Sequence, residues 1–410
     1  MRIIVVGGGA SGIVAGIFAK RDNNEVIVLE KNSKCLKKLL ITGNGKCNYF
    51  NDDFGIEHYY SENINVLNSV ICEKNKKKVL DFMSSIGVVG KVRNGYYYPF
   101  SGQAYSVYNS LIKEAEIRNV KIVNDIKVLN IISGKSGFIV KTINGDYICD
   151  KVIVSTGGKS YPKTGSEGDG YCFAHSLGHS IIPVYPSLVG LISDNKFLKD
   201  LSGVRCDGVV SLFCDDSFIK SEFGEIQFTD YGLSGICVFN LSCFVNKFIQ
   251  SDSIVNVNVN FLSGTGIDDF SSFIKFFYER NKCVKNRTVI ELLEGYFNYK
   301  IVNCIVKMCR IDVDSVWNDI SEIQKRGLFE CLYSFKFNIV GTKGFDVAQV
   351  CVGGVSINDI NLKTFESKII PGLYFTGEVL DVTGDCGGYN LGFAFLSGMI
   401  AGKSVGDCYD

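Results

Sequence analysis

Residues 3–30 read IIVVGGGASGIVAGIFAKRDNNEVIVLE and leave this part of the chain few ways to fold. A β-branched apolar run leads into the motif Gly7-x-Gly9-x-x-Gly12, a helical stretch follows, and a second apolar run ends at Glu30. This order predicts a strand, a tight turn, a helix and a second strand, the unit that binds the pyrophosphate of a dinucleotide. A chance glycine turn is the alternative, but the strand, the helix and the acid all stand where the binding unit requires them.

Each glycine of this motif has its own steric reason. Gly7 permits the turn, Gly9 has no Cβ and lets the pyrophosphate approach the backbone, and Gly12 lets the helix pack close to the strand. The first helical turn, which contains Ala10 and Ser11, is expected to present free N–H groups and a partial positive charge to the phosphates.

The acid at the end of the second strand indicates which dinucleotide binds. Glu30 can accept a hydrogen bond from a ribose hydroxyl but would repel a 2′-phosphate, which favours FAD or NAD over NADP at this site. Lys31 is expected to cover the adenine side. The backbone of Ile126, at the end of a nearby strand, is the candidate that reads the adenine edge.

Composition limits the domain count and the partners. At 410 residues the chain is longer than one hydrophobic core usually supports, so we expect two or three domains. Lysine plus arginine number 43 and so do aspartate plus glutamate, which gives no electrostatic reason to expect nucleic acid or an anionic membrane as a partner. No apolar stretch approaches the roughly 20 residues that span a bilayer. Residues 1–12 lead directly into a strand without a signal peptide, so we expect a cytoplasmic protein, whose oligomeric state stays open.

Cysteine usage argues against a metal centre. The sixteen cysteines are scattered without a CxxC pair, and the chain has three histidines, so the spacing of a zinc site is missing and no metal is expected. In a reducing compartment most of these cysteines are expected to be small buried apolar residues.

The pattern along the chain predicts that its two ends share one domain. Residues 74–86 and 102–118 have helical periodicity, and residues 121–155 form short β-branched runs with a hairpin signal. Short apolar runs typical of a β-barrel or sandwich fill 188–262, and helical periodicity fills 267–330. From residue 346 the strand and glycine signals return, and a helix is expected to start near Asn390.

Four segments together resemble the BaiN/YhiN-type NAD(P)/FAD-dependent oxidoreductases, a family of cytoplasmic flavoproteins. They are VVGGGASG at 5–12, LLITGNGKCN at 39–48, GEIQFTDYGLSG at 224–235 and GLYFTGEVLDVTGDCGGYNLGFAFLSG at 372–398, and STGGKSYPKTGSEGDGY at 155–171 supports them. The resemblance spans nearly the whole chain. It implies an α/β fold with a discontinuous Rossmann-like FAD-binding domain, an inserted β-barrel domain, and a helical subdomain within that insert.

The expected boundaries combine this resemblance with the pattern along the chain. The FAD-binding domain is expected at 1–187 and 346–410, the β-barrel at 188–266 and 331–345, and the helical subdomain at 267–330.

FAD is long, so a single glycine turn does not hold it. The loop Gly43-Asn44-Gly45 can supply backbone N–H groups to the ribityl chain or the flavin edge, with a plain surface turn as the alternative. Cys47 and Asn48 lie beside this loop. The thiol of Cys47 could be a redox partner or a nucleophile, but without a partner at CxxC spacing we favour a packing or cofactor contact.

Two further glycine turns stand at strand ends. Thr156, Gly157 and Gly158 follow one apolar run, and the pair Gly377-Glu378 ends another. In many flavoproteins a glycine–acid pair at the end of a strand holds the ribityl hydroxyls. Asp381 follows three residues later and is an alternative for the same role.

The last helix begins beside these turns. Gly388, Asn390 and Leu391 open it, and its N-terminus, if aimed at the N1–C2=O edge of the flavin, would stabilise the negative charge of the reduced state. Tyr389 is the candidate proton donor; no other catalytic residue is assigned.

The expected activity is that of an FAD-dependent oxidoreductase. Flavin N5 would pass hydride to a small electron-poor acceptor, with an enone as one candidate. NADH or NADPH is the expected transient electron donor, since one full GxGxxG motif leaves no separate nicotinamide domain. A flavin-dependent tRNA-modifying enzyme and a non-catalytic flavin-binding protein are the alternatives, and the balanced charge disfavours the first.

Overall fold

The computed structural model describes residues 1–284 and 287–407. The chain forms two compact units: unit 1 comprises Met1–Pro186 and Phe345–Asp410, and unit 2 comprises Ser187–Gly344. The expected boundaries at 187/188 and 345/346 lie one residue from these divisions. Residues 285–286 of the expected helical subdomain and 408–410 of the second FAD-binding segment lie outside the described residues.

The first segment of unit 1 alternates strands and helices. Its strands are β1 (Arg2–Val6), β2 (Glu25–Leu29), β3 (Phe50–Asn51), β4 (Tyr59–Tyr60), β5 (Gly90–Arg93), β6 (Tyr96–Pro99), β7 (Lys121–Val123), β8 (Val128–Gly134), β9 (Gly137–Thr142), β10 (Gly145–Cys149), β11 (Lys151–Val154) and β12 (Ile181–Ser187), the last of which crosses into unit 2. Its helices are α1 (Ala10–Ala19), α2 (Lys37–Ile41), α3 (Glu73–Ser85), α4 (Ala104–Ile117) and α5 (Asp169–Ser176).

Unit 2 interrupts this domain, and the chain then returns to it. The strands of unit 2 are β13 (Leu191–Ser193), β14 (Arg205–Cys214), β15 (Ser217–Phe228), β16 (Gly232–Ser234), β17 (Val255–Asn260) and β18 (Phe335–Thr342). Its helices are α6 (Leu198–Leu201), α7 (Ile236–Gln250), α8 (Phe270–Cys283), α9 (Val289–Glu294), α10 (Tyr299–Met308) and α11 (Glu322–Tyr333). The returning segment contains β19 (Val350–Val355), β20 (Ile360–Asn361), β21 (Glu366–Ser367), β22 (Leu373–Phe375), β23 (Thr383–Gly384) and α12 (Tyr389–Gly406).

The main sheet of unit 1 has the order β20-β21-β22-β11-β1-β2-β7. Strand β1 lies inside the sheet and pairs in parallel with β2 and β11, with Val5 opposite Val28 and Ile153. Ile3 and Ile4 are fully buried, as expected for a strand covered on both faces. The carboxyl ends of β1, β11 and β22 therefore gather at one edge, where open α/β sheets bind their ligands.

Helices α1 and α12 pack backbone to backbone through a glycine stripe on α12. An ideal Cβ on Gly398 would lie 2.5 Å from the carbonyl oxygen of Ser11, and one on Gly406 would lie 2.6 Å from that of Ala19. A Cβ on Gly402, between them, would overlap the carbonyl oxygen of Ala15. Glycine is therefore required on this face of α12.

Unit 2 contains a closed barrel of order β13-β16-β15-β14-β17-β18. Phe228, Phe337 and Val257 are fully buried in its hydrophobic core. The expectation of short strands throughout 188–262 is wrong over α7, which packs on β15. Its sequence ICVFNLSCFVNKFIQ is rich in β-branched and aromatic residues, but its buried positions include 237, 238, 241 and 245, which follow the helical period.

Helices α8 to α11 lie between the last two barrel strands. Asp269, Thr288 and Ser321 each form a capping box that starts one of these helices. Helix α11 ends at Tyr333, so the barrel resumes at Phe335, slightly later than the expected 331. The mainly parallel sheet of unit 1 and the closed barrel of unit 2 with its helical insertion confirm the predicted fold class.

Within the described ranges 1–284 and 287–407, no helix combines the length and the apolar composition that crossing a membrane requires.

We expect Gly402→Val to destabilise the chain, because the added side chain must push α12 away from α1. The expected loss is on the order of 1–3 kcal/mol in the free energy of unfolding, measured by denaturant titration of the far-UV circular dichroism signal. Gly341→Val is the matched control, because an ideal Cβ there meets no atom within 4 Å. Equal stability of the two variants would show that α1 and α12 are not held in close contact.

Candidate functional site

The turn between β1 and α1 has the geometry that the glycine motif predicts. Gly7 has a φ of 104°, which a side chain would strain, and a Cβ on Gly12 would overlap the carbonyl oxygen of Gly7. A Cβ on Gly9 would come no closer than 4.0 Å to Ser155. Gly12 is thus required by packing, whereas the space beside Gly9 is open to a ligand. Ala10 and Ser11 form the first turn of α1 with Gly12.

Glu30 lies buried directly beneath this turn. One carboxylate oxygen accepts the N–H of Gly8 at 2.8 Å, and the other accepts both the N–H and the amide group of Asn32 at 2.8 and 2.7 Å. These donors orient the carboxylate and keep it at the end of β2, where a ribose hydroxyl is expected.

The two residues expected at the adenine end lie near Glu30. The ammonium group of Lys31 pairs with Asp169 at 2.6 Å and with Glu167 at 2.8 Å, so it connects the end of β2 with the start of α5. The N–H of Ile126 donates to the carbonyl of Glu30 at 2.9 Å. Reading of the adenine edge by Ile126 stays a prediction.

The glycine turn after β11 contacts the turn after β22. Ser155 and Thr376 share a hydroxyl hydrogen bond of 2.6 Å, and an ideal Cβ on Gly377 would lie 2.5 Å from the hydroxyl of Ser11. A Cβ on Gly158 would lie 2.8 Å from the carboxylate of Glu378. Thr156 and Gly157 stand at the same strand end, so the structure brings this predicted group beside the start of α1.

Glu378 is held by groups that the sequence did not indicate. Its carboxylate pairs with Lys38 at 2.9 Å and accepts the Ser160 hydroxyl at 2.9 Å and the Cys351 N–H at 3.0 Å. Lys38 and Glu378 are partly buried and 340 residues apart. Lys38 precedes the Gly43 loop, but nothing in its local sequence distinguishes it from neighbouring lysines.

The loop after α2 is a tight left-handed turn. Gly43, Asn44 and Gly45 have φ angles of 56°, 54° and 79°, so three consecutive residues are left-handed. Cys47 is fully buried, and burial raises the pKa of its thiol to about 12, which makes a thiolate nucleophile unfavourable there. The side-chain oxygen of Asn48 is buried and has no hydrogen-bond partner among the described residues.

The start of α12 lies against this loop. A Cβ on Gly388 would lie 2.8 Å from the side-chain oxygen of Asn48. The side chain of Asn390 accepts the N–H of Gly384 at 2.9 Å and donates to the carbonyl of the same residue at 2.8 Å, which closes the turn before the helix. Leu391 packs partly buried against the core.

Asp381 serves a different neighbour. Its carboxylate accepts the hydroxyl of Ser61 at 3.1 Å and the N–H of Glu62 at 2.8 Å. Of the two acids considered for the ribityl chain, Glu378 is the one beside the glycine turn of Gly158, whereas Asp381 ties the returning segment to the 61–62 loop.

A histidine that the sequence did not single out lies between two carboxylates next to Tyr389. The ring nitrogens of His58 lie 3.1 Å from Asp385 and 3.0 Å from Asp53. The hydrogen bond to Asp385 and, less strongly, the one to Asp53 together raise the pKa of His58 to about 9, against the opposing effect of partial burial. The His58 ring stacks on Tyr389 with centroids 4.6 Å apart. Burial raises the pKa of the Tyr389 phenol, so the phenol keeps its proton.

These contacts fit a bound FAD. The predicted segments contact one another in space: Ser11 contacts Gly377, Glu378 pairs with Lys38, which precedes the Gly43 loop, and Asn48 contacts Gly388. The open side of Gly9 and the unpartnered oxygen of Asn48 lie in two of these segments and could each take a ligand contact.

Comparison with known proteins decides the family. The family model described as the HI0933-like protein Rossmann domain matches residues 1–404. The chain belongs to the HI0933-like family. A relative from Clostridium scindens, a 3-dehydro-bile acid delta(4,6)-reductase, is 36% identical over 409 residues that cover 99% of both chains. The resemblance stated from the sequence is thereby confirmed.

Two more distant proteins extend the comparison. A ribosomal RNA dihydrouridine synthase from Escherichia coli is 26% identical over 98% of both chains. The solved structure of a 3-ketosteroid-delta4-(5alpha)-dehydrogenase from Rhodococcus jostii has a TM-score of 0.50 at 14% identity and covers 99% of this chain and 96% of its own. That likeness concerns the fold. The family and the 36%-identical relative support a flavoprotein oxidoreductase with a Rossmann dinucleotide-binding domain and FAD as its cofactor.

We expect Gly9→Val to leave the chain folded but without FAD, because the added side chain fills the open space beside the turn. The ratio of flavin to protein absorbance, together with a thermal melt, measures the two effects separately. Gly12→Val is the comparison: it should lower the melting temperature, because its side chain overlaps Gly7. Full FAD occupancy in Gly9→Val would place the pyrophosphate elsewhere.

Glu30→Ala should weaken FAD binding, because it removes a charge-assisted hydrogen bond to the ribose and the carboxylate that accepts the N–H groups of Gly8 and Asn32 and so orders the turn. The expected loss is roughly 1.5–3 kcal/mol, about 10- to 150-fold in Kd, measured by titrating apoprotein with FAD. Glu366→Ala is the matched control, since this carboxylate also accepts a backbone N–H, that of Gly372 at 2.7 Å. An unchanged Kd in Glu30→Ala would show that the ribose does not bind at Glu30.

Proposed function

We propose that the protein is an FAD-dependent reductase of a small molecule with a carbon–carbon double bond conjugated to a carbonyl group. The observation that carries the proposal is the 36% identity, over 99% of both chains, to an enzyme named as a reductase of 3-dehydro-bile acids at the 4,6 positions. A 3-oxo group conjugated to such double bonds is an enone, the acceptor class expected from the sequence.

The fold supplies binding and orientation, and the cofactor supplies the redox step. Bound FAD provides hydride transfer at its N5 atom. The open side of Gly9 and the first turn of α1 would hold the pyrophosphate, and Glu30 would hold the adenosine ribose. The Asn48 side chain and the start of α12 at Tyr389 would hold the other end of the cofactor.

The proposed site also provides for charge and proton. The N-terminus of the 18-residue helix α12 carries a partial positive charge, which favours an anion near Gly388. Tyr389 is the proposed donor of the proton that completes reduction of the double bond, and burial raises the pKa of its phenol, which keeps it protonated until the transfer.

NADH or NADPH is the proposed electron donor. The chain has one full glycine motif of the dinucleotide type, and FAD is assigned to it. The nicotinamide would therefore dock transiently and leave, rather than occupy a domain of its own. Glu30 concerns the FAD ribose alone and does not select between the two nicotinamides.

A second candidate is reduction of a uracil base in RNA. It is favoured by the 26% identity, over 98% of both chains, to the ribosomal RNA dihydrouridine synthase. The C5=C6 bond of uracil is conjugated to a carbonyl group, so the two named reactions reduce the same kind of bond. The absence of an RNA partner, expected from the balanced charge of the chain, thus stays a prediction.

We expect NADH or NADPH to bleach the flavin absorbance in anaerobic stopped-flow mixing, and a conjugated 3-ketosteroid to restore it. Reoxidation by the steroid, and by ribosomal RNA lacking dihydrouridine in a parallel experiment, distinguishes the two candidates. Gly9→Val is the control for signals that do not need bound FAD.

Different failures have different meanings in this experiment. If dithionite reduces the flavin but neither nicotinamide does, NADH and NADPH are not the electron donors, and the reductase activity is then tested with other donors. Reoxidation by RNA alone would overturn the small-molecule acceptor. A flavin that neither nicotinamide nor dithionite reduces would contradict an oxidoreductase.

A further inference from the structure

A short strap of residues, His58 to Tyr60, clamps the turn that starts α12. Strand β4 pairs with β23, which places Tyr60 opposite Thr383 and Tyr59 opposite Gly384. This ladder joins parts of unit 1 that are more than 300 residues apart in sequence. The strap therefore holds the returning segment just before the helix that is proposed to face the cofactor.

Side chains of the strap extend the ladder. The hydroxyl of Tyr59 donates to the carbonyl of Tyr389 at 3.0 Å, and that of Tyr60 donates to the carboxylate of Asp385 at 2.8 Å. The N–H of Asp385 donates to the carbonyl of His58 at 2.9 Å. Asn51 also donates to Gly387 at 2.9 Å, so the turn is held from two sides.

His58 is the charged member of this clamp. Asp385 is almost fully buried, with 5% of its side chain exposed, whereas Asp53 is 68% exposed. A buried carboxylate needs a cation or several donors, and a charged imidazole supplies the cation here. The ring of the same histidine covers Tyr389, the first residue of α12.

We infer that His58 is a positioning residue that, as an imidazolium, holds residues 384–390 in the conformation that binds FAD. The inference rests on the proposed function, because it takes this turn to contact the cofactor. His58 does not itself donate a proton to the substrate, since both ring nitrogens bind carboxylates. It acts through Asp385 and Tyr389.

Loss of the proton would release the clamp. The His58 ring faces the carboxylates of Asp53 and Asp385 and stacks on the Tyr389 ring. A carboxylate oxygen of Glu57 also lies within 4.8 Å of a His58 ring nitrogen and of a carboxylate oxygen of Asp53. A neutral ring would remove the positive charge that faces these carboxylates. With a folded pKa of about 9, above the usual value near 6.5, the stabilisation is complete below about pH 6.5. It is lost as pH rises through about 9.

The first experiment locates the proton. The chain has three histidines, so proton NMR of the imidazole C2–H signals resolves few resonances. We expect one histidine to titrate near pH 9, its signal to disappear in His58→Gln, and its titration to move to lower pH in Asp385→Asn. A His58 that titrates near its ordinary pKa in the wild-type protein would overturn the inference.

The second experiment measures FAD binding to the full-length apoprotein between pH 7 and 10. If only the imidazolium form holds the turn, Kd rises about tenfold for each pH unit above the pKa. His58→Gln should bind FAD more weakly at pH 7 and without this rise, and Asp385→Asn should begin its rise at lower pH. A titration of the cofactor itself would appear equally in wild type and variants, so the difference between them isolates His58.

His175→Gln is the matched control, because His175 is an exposed residue of α5. It should keep the wild-type Kd and pH profile. A His58→Gln protein with the wild-type Kd and the wild-type rise would overturn the inference, as would a wild-type Kd that stays constant to pH 10. Failure of the wild-type protein to bind FAD at pH 7 would instead contradict the proposed function.

Discussion

Helices α1 and α12 touch backbone to backbone, and this contact joins the two ends of a chain that unit 2 interrupts. Side chains at Gly398, Gly402 or Gly406 would separate the helices, because each position faces a carbonyl oxygen of α1. Close packing brings Gly377 against Ser11, so the turn after β22 reaches the start of α1. The proposed cofactor site is therefore assembled from residues 7–48, the turn at 155–158 and the returning residues 377–391.

Buried and partly buried acids fix the geometry of this assembly. Glu30, Glu378, Asp381 and Asp385 each accept hydrogen bonds from protein donors, and Glu378 also pairs with Lys38. A buried carboxylate is costly without such partners, so each acid constrains the backbone around it. Three of these acids hold together segments distant in sequence. Hydrogen bonds within the protein thus constrain the turns proposed to contact FAD, and such constraint reduces the ordering cost of binding.

Under the proposed function, the two named relatives differ in the size of the acceptor and agree in the bond that is reduced. The same cofactor turns can serve a steroid and a uracil base, because hydride transfer needs the flavin and a proton donor rather than a particular acceptor. Selection of the acceptor must then depend on residues beyond the dinucleotide motif. This separation is common in folds that carry several functions on one scaffold.

Local sequence was enough for the features whose physics is local. The glycine spacing at 7–12, the acid at 30 and a helix start near Asn390 could be predicted because steric freedom, strand ends and helix caps act over a few residues. Helix α7 was missed because its β-branched and aromatic content outweighed a helical period that burial alone makes visible. Only the tertiary structure could pair Lys38 with Glu378 and His58 with Asp385, partners 340 and 327 residues apart. Such pairs depend on which surfaces the fold brings together, and no spacing along the chain records that.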